Sequence, residues 1–333
     1  MRSSIFGSER GRNVAVDESM IETFRKRICE EGLPDLDQKI RRDEMMKSHT
    51  SFRVGGPAQL FVEPSDVHEV TSLIRIAEDM KFPYFLMGNG SNLVISDEGM
   101  DGLVIHLGEE FSNIRIVEDH SEDDSVFVYA EAGALLTKVS SFALKNGLSG
   151  LEFASGIPGT IGGAVFMNAG AYDHDMSEVV ESVLCAMPSG ETVTLTRGDF
   201  DFGYRKSRFM TEGGFVLSVV LRLKKGDPEK ISAQIREYTE KRTKSQPLNF
   251  PSAGSMFKRP VGYYAGTMID QAGLKGLTVG GAQVSEKHAG FIINIGNATA
   301  KDIDELVKKV QAAVMEKYGV KLEREVRFVG RGY

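Results

Sequence analysis

Arg205 lies in "FDFGYRKSRF", close to Tyr204, Ser207 and Arg208 and between Phe202 and Phe209. An arginine held rigidly by aromatic neighbours suits bidentate capture of a carboxylate or phosphate, although a basic run is as often a solvated face. Ser255, in "FPSAGSMFKRP", follows Ala-Gly and precedes Phe257, Lys258 and Pro260. A turn serine is the ordinary reading. The chemical one is a hydroxyl presented to a substrate, with Lys258 near enough to tune it. No Gly-x-Ser-x-Gly elbow surrounds it, which argues against a hydrolase triad. Glu325 stands in the tail "VKLEREVRFVG", where charges are usually solvated. None of the three decides a function alone.

Two glycine-rich stretches raise the stakes. In "PYFLMGNGSNLVIS", Gly88, Asn89, Gly90, Ser91 and Asn92 separate two apolar runs. Leu93 stands where a dinucleotide fingerprint needs a third small residue, and no Gly-Lys-Ser/Thr follows. Both familiar phosphate loops feed a helix, whereas Leu93, Val94 and Ile95 read as a strand. The alternative is a backbone nest, whose successive N–H groups can hold a pyrophosphate without lysine. In "SGIPGTIGGAVFMNAGAY", Pro158-Gly159 and Gly162-Gly163 would let main chain press against a flat ring. Ser155, Thr160 and Asn168 offer hydrogen bonds there. A large nucleotide cofactor lying across both loops explains both.

The chain as a whole is permissive. Its 333 residues can hold two or three domains, and 41% hydrophobic with 26% charged content is ordinary for a globular protein. A net charge of -7 argues against electrostatic binding of nucleic acid. No apolar N-terminal segment suggests a secretory signal, and no run approaches a membrane span, so a cytoplasmic protein is expected. Cys29 and Cys185, without any CxxC, suggest neither a disulfide framework nor a zinc site.

The elements that must position these residues follow from apolar period. Residues 1–13 are polar and expected to be frayed. Ser19 and Glu22 suggest a capping box for a helix carrying Met20, Ile21, Phe24 and Ile28. "DQKIRRDEMMKSHTS" reads as a charged linker and "QLFVEP" as a strand. Ser65 caps a helix with Val67, Val70, Leu73, Ile74 and Ala77 on one face. "YFLM", "NLVIS" and "GLVIHL" are short buried strands of an α/β lobe. From about Ile114 the pattern becomes α+β: strands "IRIV", "VFVYAE", "SVLCAM", "TVTL" and "FVLSVVLRL", with a helix at Leu135, Leu136, Val139 and Phe142. A third lobe begins with a helix at Asp227-Pro228, then the strand "GFIINI" and a long helix capped at Thr299 and closed by Gly319. The tail alternates as a strand, with Leu322, Val326 and Phe328 on one face and Glu323, Glu325 and Arg327 on the other.

Taken in order, "HTSFRVGGPA", "GNGSNLVISDEG", "GLEFASGIPGTIGGAVFMNAGAY", "FGYRKSRF", "AGSMFKRP", "MIDQAGLKG…GGAQVSEKHAGFIIN" and "LEREVRFVG" resemble the UDP-N-acetylenolpyruvoylglucosamine reductase family, from about Ser48 to Gly330. The resemblance implies a mixed α+β fold: an FAD-binding domain of the PCMH, or vanillyl-alcohol-oxidase, type in two α/β lobes, plus a smaller substrate domain. In those terms the chain divides into an N-terminal extension with a helix (1–47), two FAD-binding lobes (48–110 and 111–226), a substrate-binding domain (227–320) and a C-terminal strand (321–333).

The resemblance also implies roles. Arg205 resembles the arginine that holds the enolpyruvyl carboxylate, Ser255 the proton donor and Glu325 the catalytic glutamate. Non-covalent FAD is expected against Arg53, Gly88, Asn89, Gly90, Ser91, Asn92, Ser155, Ile157, Pro158, Gly159, Thr160, Gly162, Gly163, Asn168 and Gly170. Tyr204, Lys244, Lys258, Arg259 and Gln271 match substrate-contacting positions. The implied reaction is NADPH-dependent reduction of UDP-N-acetylglucosamine enolpyruvate to UDP-N-acetylmuramate in peptidoglycan precursor synthesis, by a monomer that uses no metal. Only "VGYYAGT" links Pro260 to "MIDQ", which resembles the shorter, type II subgroup. Lys258-Arg259-Pro260 stands where many members have Lys-Asn-Pro. A flavin-dependent alcohol or sugar oxidase on the same cofactor fold is the rival. None of His49, His68, His106, His120, His174 or His288 lies beside the glycine loops in sequence to carry a covalent flavin.

Overall fold

The first amphipathic stretch closes into α1 (Glu18–Glu30) in the computed structural model, which describes residues 16–120 and 123–333. The expected frayed stretch 1–13 lies outside the described residues. Ile21, Phe24 and Ile28 are buried, as the period predicts. The cap, however, is Asp17 and not Ser19: Asp17 Oδ1 accepts from Met20 N at 2.8 Å. The expected linker is also structured, as α2 (Pro34–Lys39) and β1 (Arg41–Met45). After β2 (Pro57–Val62), α3 (Val67–Met80) is capped by Asp66, whose Oδ1 accepts from Glu69 N at 2.8 Å. Ser65 instead gives its own N–H and hydroxyl to the Glu69 carboxylate.

The buried strands β3 (Tyr84–Met87), β4 (Leu93–Ile95) and β5 (Met100–His106) follow as expected. One sheet has the order β1-β2-β5-β3, with β3 parallel to β5. β1 is thus an edge strand, and edges tolerate charge on both faces, which hid it from an apolar alternation.

The antiparallel part comprises β6 (Ile114–His120), β7 (Ser125–Glu131), α4 (Leu136–Lys145), β8 (Leu148–Ser149), α5 (Ile161–Met167), β9 (Gly170–Ala171), β10 (His174–Asp175), β11 (Val180–Ala186), β12 (Thr192–Thr196), α6 (Arg208–Thr211) and β13 (Phe215–Lys225). Its main sheet runs β12-β11-β13-β7-β6, with β8 also on β13. β9 and β10 form a separate hairpin. The remaining elements are α7 (Pro228–Ser245), α8 (Ala265–Gln271), β14 (Thr278–Val279), β15 (Ala282–Val284), β16 (Ile292–Asn294), α9 (Ala300–Tyr318) and β17 (Arg327–Val329). α9 has the expected caps, Thr299 in a capping box with Asp302 and Gly319 left-handed.

The tail is strand only over β17, parallel to β4; upstream of it Arg324 makes an isolated bridge to Phe257. Leu322 and Val326 are buried, whereas Phe328 is only partly so.

Two compact units result. One holds the residues up to Arg42, Leu60–Asn89 and Asp101–Thr239, and the other holds Asp43–Gln59, Gly90–Met100 and Glu240–Tyr333. Each has its own core, around Leu73, Phe111, Val128 and Leu221 in the first and around Phe52, Ile292, Val307 and Val326 in the second. Among the described residues no helix is long and apolar enough to cross a membrane.

Candidate active site

In the first unit the strand β3 delivers Gly88 against Thr160. A Cβ on Gly88 would overlap Thr160 Oγ1 and lie 3.0 Å from its Cγ2. Asn89 Nδ2 donates to the Pro158 carbonyl at 2.6 Å. The two glycine stretches therefore meet, Gly88-Asn89 on Pro158–Thr160, as a cofactor lying across both requires. The second stretch is pinned from behind. Leu136 N donates to Gly159 O at 2.9 Å and Gly162 N to Ala132 O at 3.0 Å.

Several members of this stretch are spent on the protein itself. A Cβ on Gly162 would come within 2.7 Å of Ala132 Cβ, so its bareness serves helix packing; Gly163 is exposed. Thr160 is buried and caps α5 through Gly163 N. Ser155 donates its hydroxyl to Glu152 O at 2.9 Å. Ile157 is half-buried, Pro158 exposed, and a Cβ on Gly170 would strike the His174 carbonyl.

The same unit carries Arg205 at the tip of a tight turn. Gly203 and Lys206 exchange both backbone hydrogen bonds at 3.1 Å, leaving Tyr204 and Arg205 as the two central residues. Arg205 has a left-handed φ of 51°. Its Nη2 donates to Gly170 O at 3.1 Å and its Nη1 to Asn168 O at 3.4 Å. The guanidinium carbon also lies 5.1 Å from the centre of the exposed Tyr204 ring. Two positions on, the fully buried Ser207 donates its hydroxyl to Phe166 O. Carbonyls, more than Phe202 and Phe209, hold this arginine.

The second unit holds Gly90, Ser91 and Asn92. Gly90 is left-handed at 58°, and a Cβ there would strike the His49 carbonyl and lie 3.0 Å from Thr50 Cα. That packs the turn Thr50–Val54, which displays an exposed Arg53 at φ 58°, against the nest. His49 is thus beside the loop in space though remote in sequence; its Nε2 lies 2.7 Å from Glu44 Oε1. Asn92 Nδ2 donates to Glu325 O at 3.2 Å, and Arg327 N donates to Asn92 O at 3.0 Å.

Ser255 and Glu325 come together here across seventy positions of chain. Glu325 N donates to Met256 O and Lys258 N to Glu323 O, both at 2.9 Å, with Phe257 bridged to Arg324. On its other side Ser255 bridges Phe291, and its side chain is exposed. Lys258 Nζ lies 3.5 Å from Glu323 Oε2, and Arg259 stacks 3.9 Å over the Tyr264 ring. Lys244 is exposed, 3.9 Å from Glu240, and Gln271 is exposed at the end of α8.

Arg327 was legible only as a charge on the tail. Its burial pulls the guanidinium down to about 10, and so costly a charge near Glu325 marks it as a site candidate. Among the described residues no cluster of His, Cys, Asp and Glu could hold a metal ion.

A family model described as "FAD binding domain" matches residues 58–196, and one described as "UDP-N-acetylenolpyruvoylglucosamine reductase, C-terminal domain" matches residues 246–329. The chain is 48% identical over 293 residues to the UDP-N-acetylenolpyruvoylglucosamine reductase of Clostridium tetani, covering 88% of this chain and 93% of that one. It is 45% identical over 316 residues to that of Agathobacter rectalis, covering 93% and 99%. The crystal structure of the Thermus caldophilus enzyme of this name superposes with a TM-score of 0.73 at 37% identity, covering 87% of this chain and 98% of that chain.

Proposed function

The chain belongs to the UDP-N-acetylenolpyruvoylglucosamine reductase family and is an FAD-dependent oxidoreductase, and on that footing we propose how its residues divide the reaction. The substrate is UDP-N-acetylglucosamine enolpyruvate and the reductant NADPH, in the synthesis of peptidoglycan precursors. The residues fit FAD. In the first unit Gly88, packed on Thr160, and Asn89, bonded to Pro158 O, make a neutral main-chain surface. In the second, Gly90 is backed by the turn that carries Arg53. Bare backbone and one arginine suit a diphosphate. When bound, FAD supplies a hydride, drawn in turn from NADPH, to C3 of the enolpyruvyl group.

The chain's own groups handle charge and proton. A negative carboxylate is a poor electron acceptor, so Arg205 binds it and neutralises the charge that builds there. Preorganised charge of this kind contributes about 3–4 kcal/mol per donor to lowering a barrier. Arg205 is suited to it because two carbonyls already fix its guanidinium. Ser255 delivers a proton to C2. A hydroxyl is a weak acid, which matches a very basic carbanionic centre. Its exposed position lets solvent restore the proton between turnovers. Glu325 is held by both its main-chain groups, to Met256 and Asn92, so its carboxylate is aimed by the backbone. Tyr204, Lys244, Lys258, Arg259 and Gln271 are assigned to substrate.

The pairing of residues 256–258 with 323–325 carries this proposal, since it sets Glu325 against Met256, next in the chain to the proposed proton donor. Ser255→Ala tests it. FAD content and FAD reduction by NADPH should persist while turnover of the enolpyruvyl sugar falls by about 10²–10⁴-fold. Unchanged turnover would remove the proton-donor role.

A further inference from the structure

We propose that Asn168 is a positioning residue for Arg205, and not one of the groups that hold FAD; this rests on the carboxylate-binding role of Arg205 given above. Asn168 is 1% exposed, and its side chain is committed inside the protein. Nδ2 donates to Gly203 O at 3.0 Å and Oδ1 accepts from Ser177 N at 3.0 Å. Its own carbonyl receives Arg205 Nη1. One residue therefore ties down both the backbone turn that presents Arg205 and the guanidinium itself.

The backbone around it is held in an uncommon conformation for the same end. Of the ten non-glycine residues with positive φ among the described residues, five lie in this neighbourhood: Asn168, Tyr172, Asp173, Asp201 and Arg205. Such conformations persist only where the surroundings over-determine them, and they gather where a group must be aimed. Asn168, at φ 43°, is of the residue type that best tolerates this region after glycine.

The second carbonyl is braced independently. Gly170 pairs with Asp175 across the hairpin β9–β10, whose two-residue turn is Tyr172-Asp173, at φ 56° and 66°. Tyr172 stacks on Tyr238 at 4.1 Å between ring centres, and its hydroxyl donates to Tyr238 O at 2.8 Å. Gly170 O is thereby presented to Arg205 Nη2 from a fixed hairpin.

Asn168→Gly tests this, because glycine keeps the left-handed φ and deletes both side-chain bonds. The FAD-loaded variant is reduced with dithionite without air, then mixed with UDP-N-acetylglucosamine enolpyruvate, and reoxidation is followed by absorbance. FAD stoichiometry should be unchanged. The saturating rate should fall by about 10–100-fold, the scale of a misplaced catalytic group. In an Arg205→Ala background the further loss should shrink to within about twofold, because the two act as a unit. Loss of bound FAD, or an undiminished loss in the Arg205→Ala background, overturns the inference alone. Arg205→Ala reoxidising at the parent rate overturns the carboxylate-binding role and this inference with it. Should Asn168→Gly not fold, Asn168→Asp keeps the acceptor for Ser177 N and deletes the bond to Gly203 O. A rate loss that vanishes without Arg205 supports the inference, and a loss that persists there, or no loss at all, overturns it.

Discussion

Gly88→Ala probes the junction of the two glycine stretches, where the geometry is tight enough to predict a magnitude. A Cβ there overlaps Thr160 Oγ1 and stands 3.0 Å from Cγ2 and 3.1 Å from Cβ. Either Thr160 turns away or the loop lifts. Turning costs Thr160 its cap on Gly163 N, about 1 kcal/mol. Lifting strains the 2.6 Å bond from Asn89 to Pro158 O, again about 1 kcal/mol net. Overpacking itself adds roughly 1–3 kcal/mol. The expected destabilisation is therefore roughly 2–4 kcal/mol. Thr160→Ala alone should cost about 1 kcal/mol through the lost cap. Together the two should cost less than their sum by at least about 1 kcal/mol, because the obstructing hydroxyl and methyl are gone. Urea unfolding of the apoprotein by far-UV circular dichroism gives the cycle. FAD titration should show affinity lost in Gly88→Ala and partly restored in the pair. Additive costs, or a Gly88→Ala variant within about 0.5 kcal/mol of the parent, would refute contact between the two stretches as the cause.

Two further outcomes follow from the second unit. His288 Nδ1 accepts from Gly290 N at 3.1 Å, and burial holds its pKa below the usual value of 6.5. The unfolded chain then binds a proton that the folded one does not. Its contribution is complete above pH 6.5 and falls as pH drops toward the depressed folded value, by at most about 1.4 kcal/mol per unit. His288→Asn should flatten that part of the stability profile, measured by urea unfolding from pH 7.5 to 5; an unchanged slope would contradict it. Asp97 accepts from Ala300 N at 2.8 Å and Lys301 N at 3.0 Å, at the start of α9. Asp97→Ala should lower stability by about 1–2 kcal/mol in the same assay, and a neutral effect would show the helix adequately capped by Thr299 and Asp302 alone.

Apolar period made the buried elements readable, and its silence explains most of the misses. β3, β5, β11 and β13 are apolar runs in a sheet, and α3 and α9 bury one face each. β1, "RRDEM", is a strand through its main chain alone, so nothing in its side chains declares it. At α1 and α3 the cap is an aspartate one or two residues from the serine expected, because Ser and Asp cap about equally well. Local sequence cannot choose between two good caps in a row. At α9 the choice was forced: Thr299 with Asp302 fits one register only, and that register is the one found.

The residues proposed to carry the chemistry were legible as types, but the groups packed around them were not. Ser255 and Glu325 each stood in a recognisable stretch, yet their neighbourhood depends on Glu325 N meeting Met256 O, a long-range register no spacing encodes. The converse holds for Asn168, Thr160 and Gly162. Each stands in a stretch where a nucleotide was expected, and each is spent inward: Asn168 on Gly203 and Ser177, Thr160 on Gly163 and Gly162 on Ala132. A motif records which residues a site cannot change, and it does not separate those that touch the ligand from those that hold a loop in shape. Burial separates them. Asn168 at 1% exposed can act on a substrate only through something else, and the carbonyl it offers leads to Arg205.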